Sequence, residues 1–166
     1  MDARSAPLFE VARDGLLVST DPARLDLDAV HGWLARSYWA AGIPRELVVR
    51  SLEHSLAFGL YEAGRQVGFA RVITDGATFA YVCDVYVADE RRRGGLGTWL
   101  MECVRAHPSL QGVRRWLLVT RDAHGLYRRA GFAPLARPEG WMEIRASDPY
   151  GHGTMGGARA RDLDGS

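Results

Sequence analysis

The chain has 166 residues, of which 47% are hydrophobic and 25% are charged, and its formal net charge is +1. This length and composition predict one soluble globular domain. The near-neutral charge argues against nucleic acid or an anionic membrane surface as a partner, because neither would be attracted electrostatically. The apolar runs are far shorter than a membrane span of about 20 residues, and residues 1–15 show no signal-peptide pattern.

Cys83 and Cys103 are the two cysteines of the chain, and both stand within apolar segments. We expect buried free thiols, as in a cytoplasmic protein, and no disulfide. Residues 147–166 are rich in glycine and poor in residues that could form a core, so they cannot offset the entropy lost on ordering. The sequence therefore predicts a single domain over residues 1–146, followed by a flexible tail.

The first part of the chain alternates between strand-like and helix-like patterns. Residues 16–20 are apolar and β-branched, which predicts a strand. Asp26 can cap a helix over residues 27–41, in which apolar side chains recur at steps of three and four. Pro44 suits the first turn of a second helix, which we expect over residues 45–56.

The rest of the chain has the pattern of a sheet with helical crossovers. Tight turns that contain glycine join three strand patterns, which predicts an antiparallel meander over residues 57–62, 66–74 and 78–87. Further elements are predicted in this order: a helix over 95–107, a strand over 114–120, a short helix over 122–129, and closing strands near 132–136 and 141–145. This order predicts an α+β layered domain with a mixed sheet. The strands on either side of the longer helix should be parallel, with a right-handed crossover.

The segment between the meander and the next helix is rich first in arginine and then in glycine, which has no side chain. Three arginines, residues 91–93, precede Gly94, Gly95 and Gly97 at the predicted start of the helix. Backbone amides at a helix start lack helical partners and carry partial positive charge, so this turn favours an anion such as a phosphate. The glycines would let the main chain approach the anion closely. The stretch fits neither the P-loop nor the Rossmann pattern, and a solvated basic turn is the alternative interpretation.

Two sequence blocks together resemble the GNAT superfamily of N-acetyltransferases. Residues 92–97 (RRGGLG) fit [RQ]-x-x-G-x-[GA], the loop that binds the pyrophosphate of acetyl-coenzyme A in that superfamily. Residues 120–132 (TRDAHGLYRRAGF) are similar to its N-x-x-A-x-x-x-Y-x-x-x-G-F block. The chain departs from the pattern at Thr120, where the superfamily has asparagine, and at Cys83, where some members carry a glutamate.

The resemblance implies a GNAT-like mixed, mostly antiparallel central sheet with helices on both faces. It also implies an acetyl-coenzyme A-dependent N-acetyltransferase that works by direct transfer in a ternary complex, with no metal. Tyr127 would supply a proton to the departing thiolate, and a purely core aromatic is the alternative. The residues expected to contact the coenzyme are Val85, Tyr86, Val87, Arg92, Arg93, Gly94, Gly95, Leu96, Gly97, Thr98, Thr120 and Ala123. A backbone N–H of Val85 or Tyr86 would face the thioester oxygen.

The group that deprotonates the acceptor amine has several candidates. Asp84, Tyr81 and His124 could act directly or through a water. Asp84 interrupts an apolar strand, where a carboxylate is costly unless it is paired or faces a cleft. A role as base or amine anchor and an ion pair with Arg71 on the neighbouring strand are equally supported.

Strand alternation gives a specific expectation for the same region. Successive residues of a strand point to opposite faces of the sheet. Asp84 should therefore share a face with Val82 and Tyr86, and the opposite face should hold Tyr81, Cys83 and Val85.

Two aromatic residues, Tyr38 and Trp39, fall near the end of the first predicted helix, whose following turn overhangs the acceptor groove in the superfamily. A tryptophan beside a carboxylate suits an amine with an apolar body, through cation–π contact. Arg71, Tyr81 and His124 complete the candidate substrate-binding residues. We expect a small-molecule amine as acceptor, and a homodimer. The alternatives are a non-catalytic acyl-coenzyme A binding or sensing domain, a protein or peptide N-acetyltransferase, and an enzyme that uses a longer acyl donor.

Overall fold

The computed structural model describes residues 7–150, so residues 151–166 of the predicted tail lie outside the described residues. The chain divides into two compact units, Met1–Leu135 and Ala136–Ser166. All described strands and α-helices belong to the first unit, and the described part of the second contains one short 3-10 turn, Pro138–Gly140. A single domain over residues 1–146 stays a prediction.

One six-stranded sheet forms the centre of the first unit, with its strands in chain order. The strands are β1 (Glu10–Arg13), β2 (Leu16–Ser19), β3 (Leu56–Glu62), β4 (Arg65–Thr74), β5 (Phe79–Val87) and β6 (Arg115–Leu117). The strands from β1 to β5 pair antiparallel with their neighbours, whereas β5 and β6 are parallel. The predicted meander and the parallel crossover are confirmed, and so is the mixed, mostly antiparallel α+β fold.

The helices of the first unit begin and end close to where their sequence patterns predict. They are α1 (Leu27–Arg36), α2 (Arg45–Glu53), α3 (Leu96–Ala106) and α4 (His124–Arg129). The predicted cap of α1 is present, because Asp26 Oδ1 accepts the Ala29 N–H at 2.9 Å. Pro44 immediately precedes α2, where its missing N–H costs nothing.

Side chains that alternate along the strands are shared between two cores, one on each face of the sheet. The core on the α3 face includes Phe58, Leu60, Val72, Val82, Leu100, Met101 and Val104. The core on the α1 and α2 face includes Val30, Leu34, Val48 and Phe69. Helices therefore cover both faces, as the resemblance implied.

α1 ends at Arg36, although the apolar pattern predicted a helix to residue 41. The Ser37 hydroxyl donates to the Leu34 carbonyl at 2.7 Å and accepts the Ala40 N–H at 3.1 Å. These two bonds replace the next helical turn, because they satisfy groups that the helix would otherwise have used. The segment between α1 and α2 is therefore a loop, residues 37–44.

The strand prediction omitted the first edge of the sheet. β1 forms a hairpin with β2 through Asp14 and Gly15, whose φ angles are +50° and +78°. Two consecutive positive φ values give the turn whose twist matches a two-residue hairpin. Aspartate followed by glycine is the sequence signal for this turn.

The two predicted closing strands are wrong. At the first, the Phe132 N–H donates to the Tyr127 carbonyl at 2.9 Å, which holds the chain in the turn after α4. The second, residues 141–145, is irregular, because the described part of its unit contains no partner strand. Its alternating apolar side chains are exposed instead, including Met142 at 97% and Ile144 at 104%.

Candidate active site

The parallel strands β5 and β6 meet over only part of their length. The last paired residues are Tyr81 and Leu117, where β6 ends. β5 continues to Val87, so among residues 7–150 no strand lies beside its edge over residues 82–87 on that side. β6 is shorter than the strand predicted over residues 114–120. The open edge can pair with an extended ligand through backbone N–H and C=O groups.

β5 contains a bulge at Asp84, whose φ angle is +55°. Arg71 pairs with Cys83 and Phe69 pairs with Tyr86, so β5 has one more residue than β4 between these pairs. A positive φ is uncommon for a residue with a side chain and persists only where the surroundings hold it. The bulge shifts the alternation of every later residue of β5 by one position.

The predicted alternation is partly wrong because of this bulge: Asp84 shares a face with Tyr86, as predicted, but not with Val82. Val82 and Val85 both pack in the core on the α3 face, although strict alternation would separate them. On the other face, the Tyr86 ring stacks on Trp33 of α1 with centroids 5.2 Å apart. The polar groups that gather on this second face are Arg71, Tyr81, Cys83 and Asp84.

Asp84 has hydrogen-bond donors on both carboxylate oxygens. Arg71 Nε donates to Oδ2 at 2.7 Å, and Trp39 Nε1 donates to Oδ1 at 3.1 Å. The Arg71 and Asp84 side chains are only 14% and 10% exposed. The ion pair foreseen as one of the two roles of Asp84 is therefore present, and it compensates both buried charges.

Tyr81 and Cys83 adjoin this ion pair and carry no charge at neutral pH. Burial is the main cause that raises the pKa of the Cys83 thiol to about 12, with Asp84 adding to the effect. Burial also raises the pKa of Tyr81, followed by the influence of Cys83 and Asp84. Cys83 is thus not a ready nucleophile, and the Tyr81 phenolate is not available as a base.

Tyr127, on α4, faces the same group of residues. Its ring contacts Phe132 edge-on, with centroids 6.0 Å apart. Burial raises the pKa of Tyr127 to about 12, and the neighbouring Tyr38 and Cys83 raise it further. The phenol therefore stays protonated throughout the neutral range, so Tyr127 can donate a hydrogen bond but cannot serve as a base.

The loop over residues 37–44 connects this group to the segment after β6. The Tyr38 hydroxyl accepts the Arg121 backbone N–H at 3.1 Å, and the Arg121 guanidinium lies 3.8 Å from the centroid of the Tyr38 ring. Trp39 packs edge-on against Tyr38 at 4.9 Å. Tyr38 is 45% exposed, so it is not a core residue. No sequence signal marked Arg121.

The turn before α3 is open on its outer side. Gly95 adopts a left-handed conformation (φ +75°), and the first helical bond runs from the Trp99 N–H to its carbonyl. The N–H groups of Leu96, Gly97 and Thr98 thus have no partner within the helix. A Cβ at Gly95 would meet nothing within 4 Å, and one at Gly94 would meet only the Arg91 carbonyl at 3.8 Å. This cradle fits a diphosphate.

Gly97 has a different reason to be glycine from the one predicted. A Cβ at Gly97 would lie 2.6 Å from Leu126 Cδ1. The missing side chain therefore makes room for α4 to pack against α3, whether or not a phosphate approaches.

The two arginines of the motif differ in how they are held. Arg92 forms an ion pair with Asp89 at 2.7 Å, and its Nε donates to the Val87 carbonyl at 3.1 Å. Asp89, which the sequence analysis missed, also accepts the Tyr86 hydroxyl at 3.1 Å. Arg93 has a φ of +68° and an exposed side chain, and within the described residues it makes no ion pair. Arg93 is thus the freer cation for a phosphate.

The start of α4 shows what replaces the superfamily asparagine. Thr120 Oγ1 accepts the Ala123 N–H at 3.0 Å, which stabilises the turn into the helix. The Asp122 carboxylate, just before this helix, lies 3.7 Å from the Arg121 guanidinium. His124 is exposed at the first helical position, and the hydrogen bonds of Asp84 do not involve it. The structure therefore brings the other candidate substrate-binding residues together around Asp84, and His124 lies apart from them.

Within residues 7–150 no group of three or more His, Cys, Asp or Glu side chains is placed to hold a metal ion. None of the helices described is both long and apolar enough to span a membrane.

Comparisons with known proteins agree with this geometry. A family model described as the acetyltransferase (GNAT) domain matches residues 53–134. A protein of Gibberella zeae that is named as an acetyltransferase is 36% identical over 138 residues, which cover 69% of this chain and 77% of the relative. The chloroplastic serotonin N-acetyltransferase 2 of Oryza sativa subsp. japonica is 36% identical over 133 residues, which cover 75% of this chain and 64% of the relative. The chain thus spans a little less than two thirds of that second relative.

A solved structure agrees with the fold over nearly its whole length. It is described as a GNAT-family acetyltransferase from Xanthomonas campestris pv. campestris and is 48% identical to this chain. The match has a TM-score of 0.79 and covers 84% of this chain and 99% of that one. The resemblance carried by residues 92–97 and 120–132 is therefore confirmed, and the chain belongs to the GNAT family of acetyltransferases.

Proposed function

We propose that the protein transfers the acetyl group of acetyl-coenzyme A directly to a primary amine of a small molecule, with both substrates bound together. One observation carries the proposal. The open edge of β5 begins beside the buried pair of Arg71 and Asp84 and leads to the bare glycine turn before α3. An acyl donor whose diphosphate binds at the glycine turn, and whose arm extends along the open edge of β5, would place its thioester beside Asp84 and Tyr127.

The glycine turn supports binding of the coenzyme diphosphate. Free N–H groups at the start of α3 and the helix dipole both favour an anion there. The exposed guanidinium of Arg93 can add a charge-assisted hydrogen bond. Arg92, held by Asp89, contributes positive charge at a fixed position.

The bulge supports an oxyanion site on β5. An extra residue in a bulge falls outside the ladder of hydrogen bonds, and here Asp84 and Val85 lie between the register pairs of β4 and β5. The Val85 N–H is therefore our preferred donor to the thioester oxygen, on which negative charge builds during attack. Tyr86, which remains in register with Phe69, is the second choice.

Tyr127 acts in this proposal as a hydrogen-bond donor to the departing sulfur. Its pKa of about 12 lies above the ordinary thiol value of about 8.5, so complete transfer of its proton to the thiolate is unfavourable. The hydroxyl stabilises the thiolate as the C–S bond breaks and keeps its own proton. The amine nitrogen, which forms the new C–N bond, releases its proton to the thiolate or to solvent.

Asp84 serves in this proposal to orient the amine. Both of its oxygens already accept hydrogen bonds, so an ammonium group binds Asp84 in exchange for the weaker, uncharged donor, Trp39. Deprotonation is assigned to water, since Tyr81 and Tyr127 stay protonated at neutral pH and His124 lies outside the group.

The size of the acceptor follows from the bridge between Tyr38 and Arg121. The bridge links the loop over residues 37–44 to the segment after β6, which narrows the approach for a peptide chain. The aromatic side chains favour an amine with an apolar or aromatic body. The name of the rice relative describes an enzyme that acts on serotonin, an amine of that type.

Thiol release with a panel of acceptors tests the proposal. The panel contains tryptamine, a polyamine, an aminoglycoside and a peptide with a free N-terminus, each with acetyl-coenzyme A. We expect the highest kcat/KM with tryptamine. Turnover with the peptide alone would exclude a small-molecule acceptor. Coenzyme binding without turnover on any amine would favour the non-catalytic alternative.

Three further predictions are retained here as proposals. A homodimer is supported by the exposed apolar side chains of Met142 and Ile144, and light scattering in solution will test it. A cytoplasmic location is supported by the two free cysteines, Cys83 and Cys103. A catalytic domain that extends to residue 146 can be tested by assaying chains that end at residue 135 or at residue 146.

A further inference from the structure

We propose that the indole of Trp39 occupies, in the free protein, the position on Asp84 that the ammonium group of the acceptor takes, so that Trp39 selects the acceptor. The inference rests on the proposed function. Trp39 Nε1 donates to Asp84 Oδ1 at 3.1 Å, while Arg71 Nε donates to Oδ2 at 2.7 Å. Asp84, a carboxylate suited to bind a cation, therefore already accepts one hydrogen bond from a neutral donor and one from a charged donor.

The two donors differ in how easily they can be exchanged. Arg71 is 14% exposed and pairs with a carboxylate that is 10% exposed, so separating these charges would leave both buried without a partner. Trp39 is 39% exposed and donates from an uncharged N–H. Both bonds to the carboxylate are charge-assisted, but an ammonium group adds the attraction between opposite charges, which the uncharged indole N–H lacks. An ammonium group can therefore displace the indole but not the guanidinium.

Hydrogen bonds that do not involve the Trp39 side chain hold the loop over residues 37–44 in place. The Gly42 N–H donates to the Ala35 carbonyl at 3.0 Å, and the Ala40 N–H donates to the Ser37 hydroxyl at 3.1 Å. Tyr38 is held by the Arg121 backbone. The indole can thus turn about its own side-chain bonds while the loop stays in place, and its face then lies beside the bound cation.

Selection follows from competition for one oxygen atom. A neutral alcohol of the same shape as the amine gains too little to replace the indole N–H, whereas an ammonium group gains a charged hydrogen bond and a cation–π contact. The indole lowers the apparent affinity of every acceptor by the fraction of molecules in which it covers Asp84. The site therefore favours amines that are protonated on arrival and have a slim apolar body.

Nuclear magnetic resonance of the indole N–H groups tests the exchange directly. In ¹H–¹⁵N spectra the Trp39 signal is identified by its loss in Trp39→Phe, and the indoles of Trp33, Trp99, Trp116 and Trp141 serve as internal references. 2-Phenylethylamine is the probe and the neutral 2-phenylethanol is its matched control. We expect the amine to shift the Trp39 signal and the alcohol to leave it in place. A Trp39 signal that stays in place at saturating amine overturns the proposal.

Kinetics of Trp39→Phe give a second readout. Phenylalanine keeps an aromatic face but has no N–H, so the competition for Asp84 disappears. We expect KM for 2-phenylethylamine to fall about three- to tenfold, with kcat changed less than about twofold, as for the loss of one ordinary hydrogen bond. Asp28→Asn, which removes the carboxylate of an exposed ion pair with Arg45, should leave both constants unchanged. A higher KM in Trp39→Phe would make the indole N–H a substrate contact and overturn the proposal.

The two experiments separate this inference from the proposed function. Thiol release without a shift of the Trp39 signal leaves acetyl transfer intact and overturns the role of Trp39. A shift without thiol release supports the role of Trp39 and contradicts acetyl transfer to that amine. If neither is observed with the probe, both proposals fail.

Discussion

The two ends of the site are built from different parts of the chain. At the donor end, around Gly94 and Gly95, the surface is bare backbone, and the first amides of α3 have no helical partners. At the acceptor end, around Asp84, the surface is made of side chains that already bond to one another. A ligand at the donor end adds contacts, whereas a ligand at the acceptor end must exchange them.

This difference predicts how each end responds to substitution. Changes at the donor end should alter coenzyme affinity and leave the fold intact, because no internal contact is lost. Changes at the acceptor end should affect stability and turnover together, because the same bonds hold the fold and receive the substrate. The following substitutions test this contrast, in order of decreasing expected effect.

Gly94→Glu should abolish most coenzyme binding. The nearest atom to a Cβ at this position is the Arg91 carbonyl at 3.8 Å, so the fold can accommodate a side chain. A carboxylate about 4 Å from a phosphate charge costs about 4 kcal/mol near a protein surface, which corresponds to about a thousandfold in affinity. Titration calorimetry with acetyl-coenzyme A will measure the change.

Gly94→Gln is the matched control for bulk without charge, and we expect it to weaken binding by much less. Equal losses in the two variants would show that the cradle has no room for a side chain. A melting temperature that falls in either variant would contradict the claim that the donor end is independent of the fold.

Asp84→Asn should lower both turnover and stability. The variant keeps the shape but leaves the buried Arg71 guanidinium without its counter-ion, and the amine loses its anchor. We expect kcat/KM for the amine to fall about a hundredfold and the free energy of unfolding to fall by about 1–3 kcal/mol. Coenzyme affinity should hardly change.

The control for this variant is Asp28→Asn, which removes the carboxylate from an exposed ion pair with Arg45. Exposed pairs contribute little, so we expect parental stability and turnover. If Asp84→Asn lowers stability and the folded protein keeps normal turnover, Asp84 is a structural partner of Arg71 and does not anchor the amine.

Tyr127→Phe should reduce kcat by about ten- to a hundredfold with little change in KM, because it removes a hydrogen bond made mainly in the transition state. The ring that packs on Phe132 is retained, so the melting temperature should stay close to that of the parent. Steady-state kinetics with tryptamine will measure the effect.

The pH dependence of the same variant sharpens this test. The pKa of Tyr127 is raised to about 12, so the hydroxyl is protonated at every pH below that value. The parent and Tyr127→Phe should therefore have pH–rate profiles of the same shape between pH 6 and 10, offset by a constant factor. A limb that is present in the parent and missing in the variant would show that Tyr127 exchanges its proton during turnover.

Tyr38→Phe should have the smallest effect of the four. The change removes one hydrogen bond, that from the Arg121 backbone N–H, while the guanidinium can still contact the ring. We expect KM for the amine to rise about two- to threefold and kcat to stay the same. An increase in turnover on peptides would indicate that this bridge excludes larger acceptors.

The donor end was largely predictable from the sequence, because glycine and arginine in a fixed order imply a particular backbone shape. The meander and the parallel crossover followed from patterns of period two and period 3.6. The same logic could not foresee the bulge at Asp84, since the strand around it contains no glycine to mark an extra residue. One extra residue in β5 was enough to reverse the predicted face of Val85.

Other errors share one physical cause, which is that a pattern does not specify its partner. Residues 141–145 alternate as a strand would, but a strand forms only where another strand pairs with it. The apolar sequence pattern of α1 continues past Ser37, but the Ser37 hydroxyl ends the helix through two local hydrogen bonds. The contacts of Trp39 with Asp84 and of Tyr38 with Arg121 join residues distant in sequence, and no local rule predicts them.

Gly97 allows α3 and α4, the two helices that border the site, to pack closely against each other. Because Gly97 has no Cβ, Leu126 of α4 packs directly against the first turn of α3. Leu126 precedes Tyr127 in the sequence. In the proposed mechanism this packing, together with the other contacts between α3 and α4, positions Tyr127 relative to the turn that would hold the diphosphate. An alanine at residue 97 would require the Leu126 side chain to move, and the change would reach Tyr127 through its neighbour on α4.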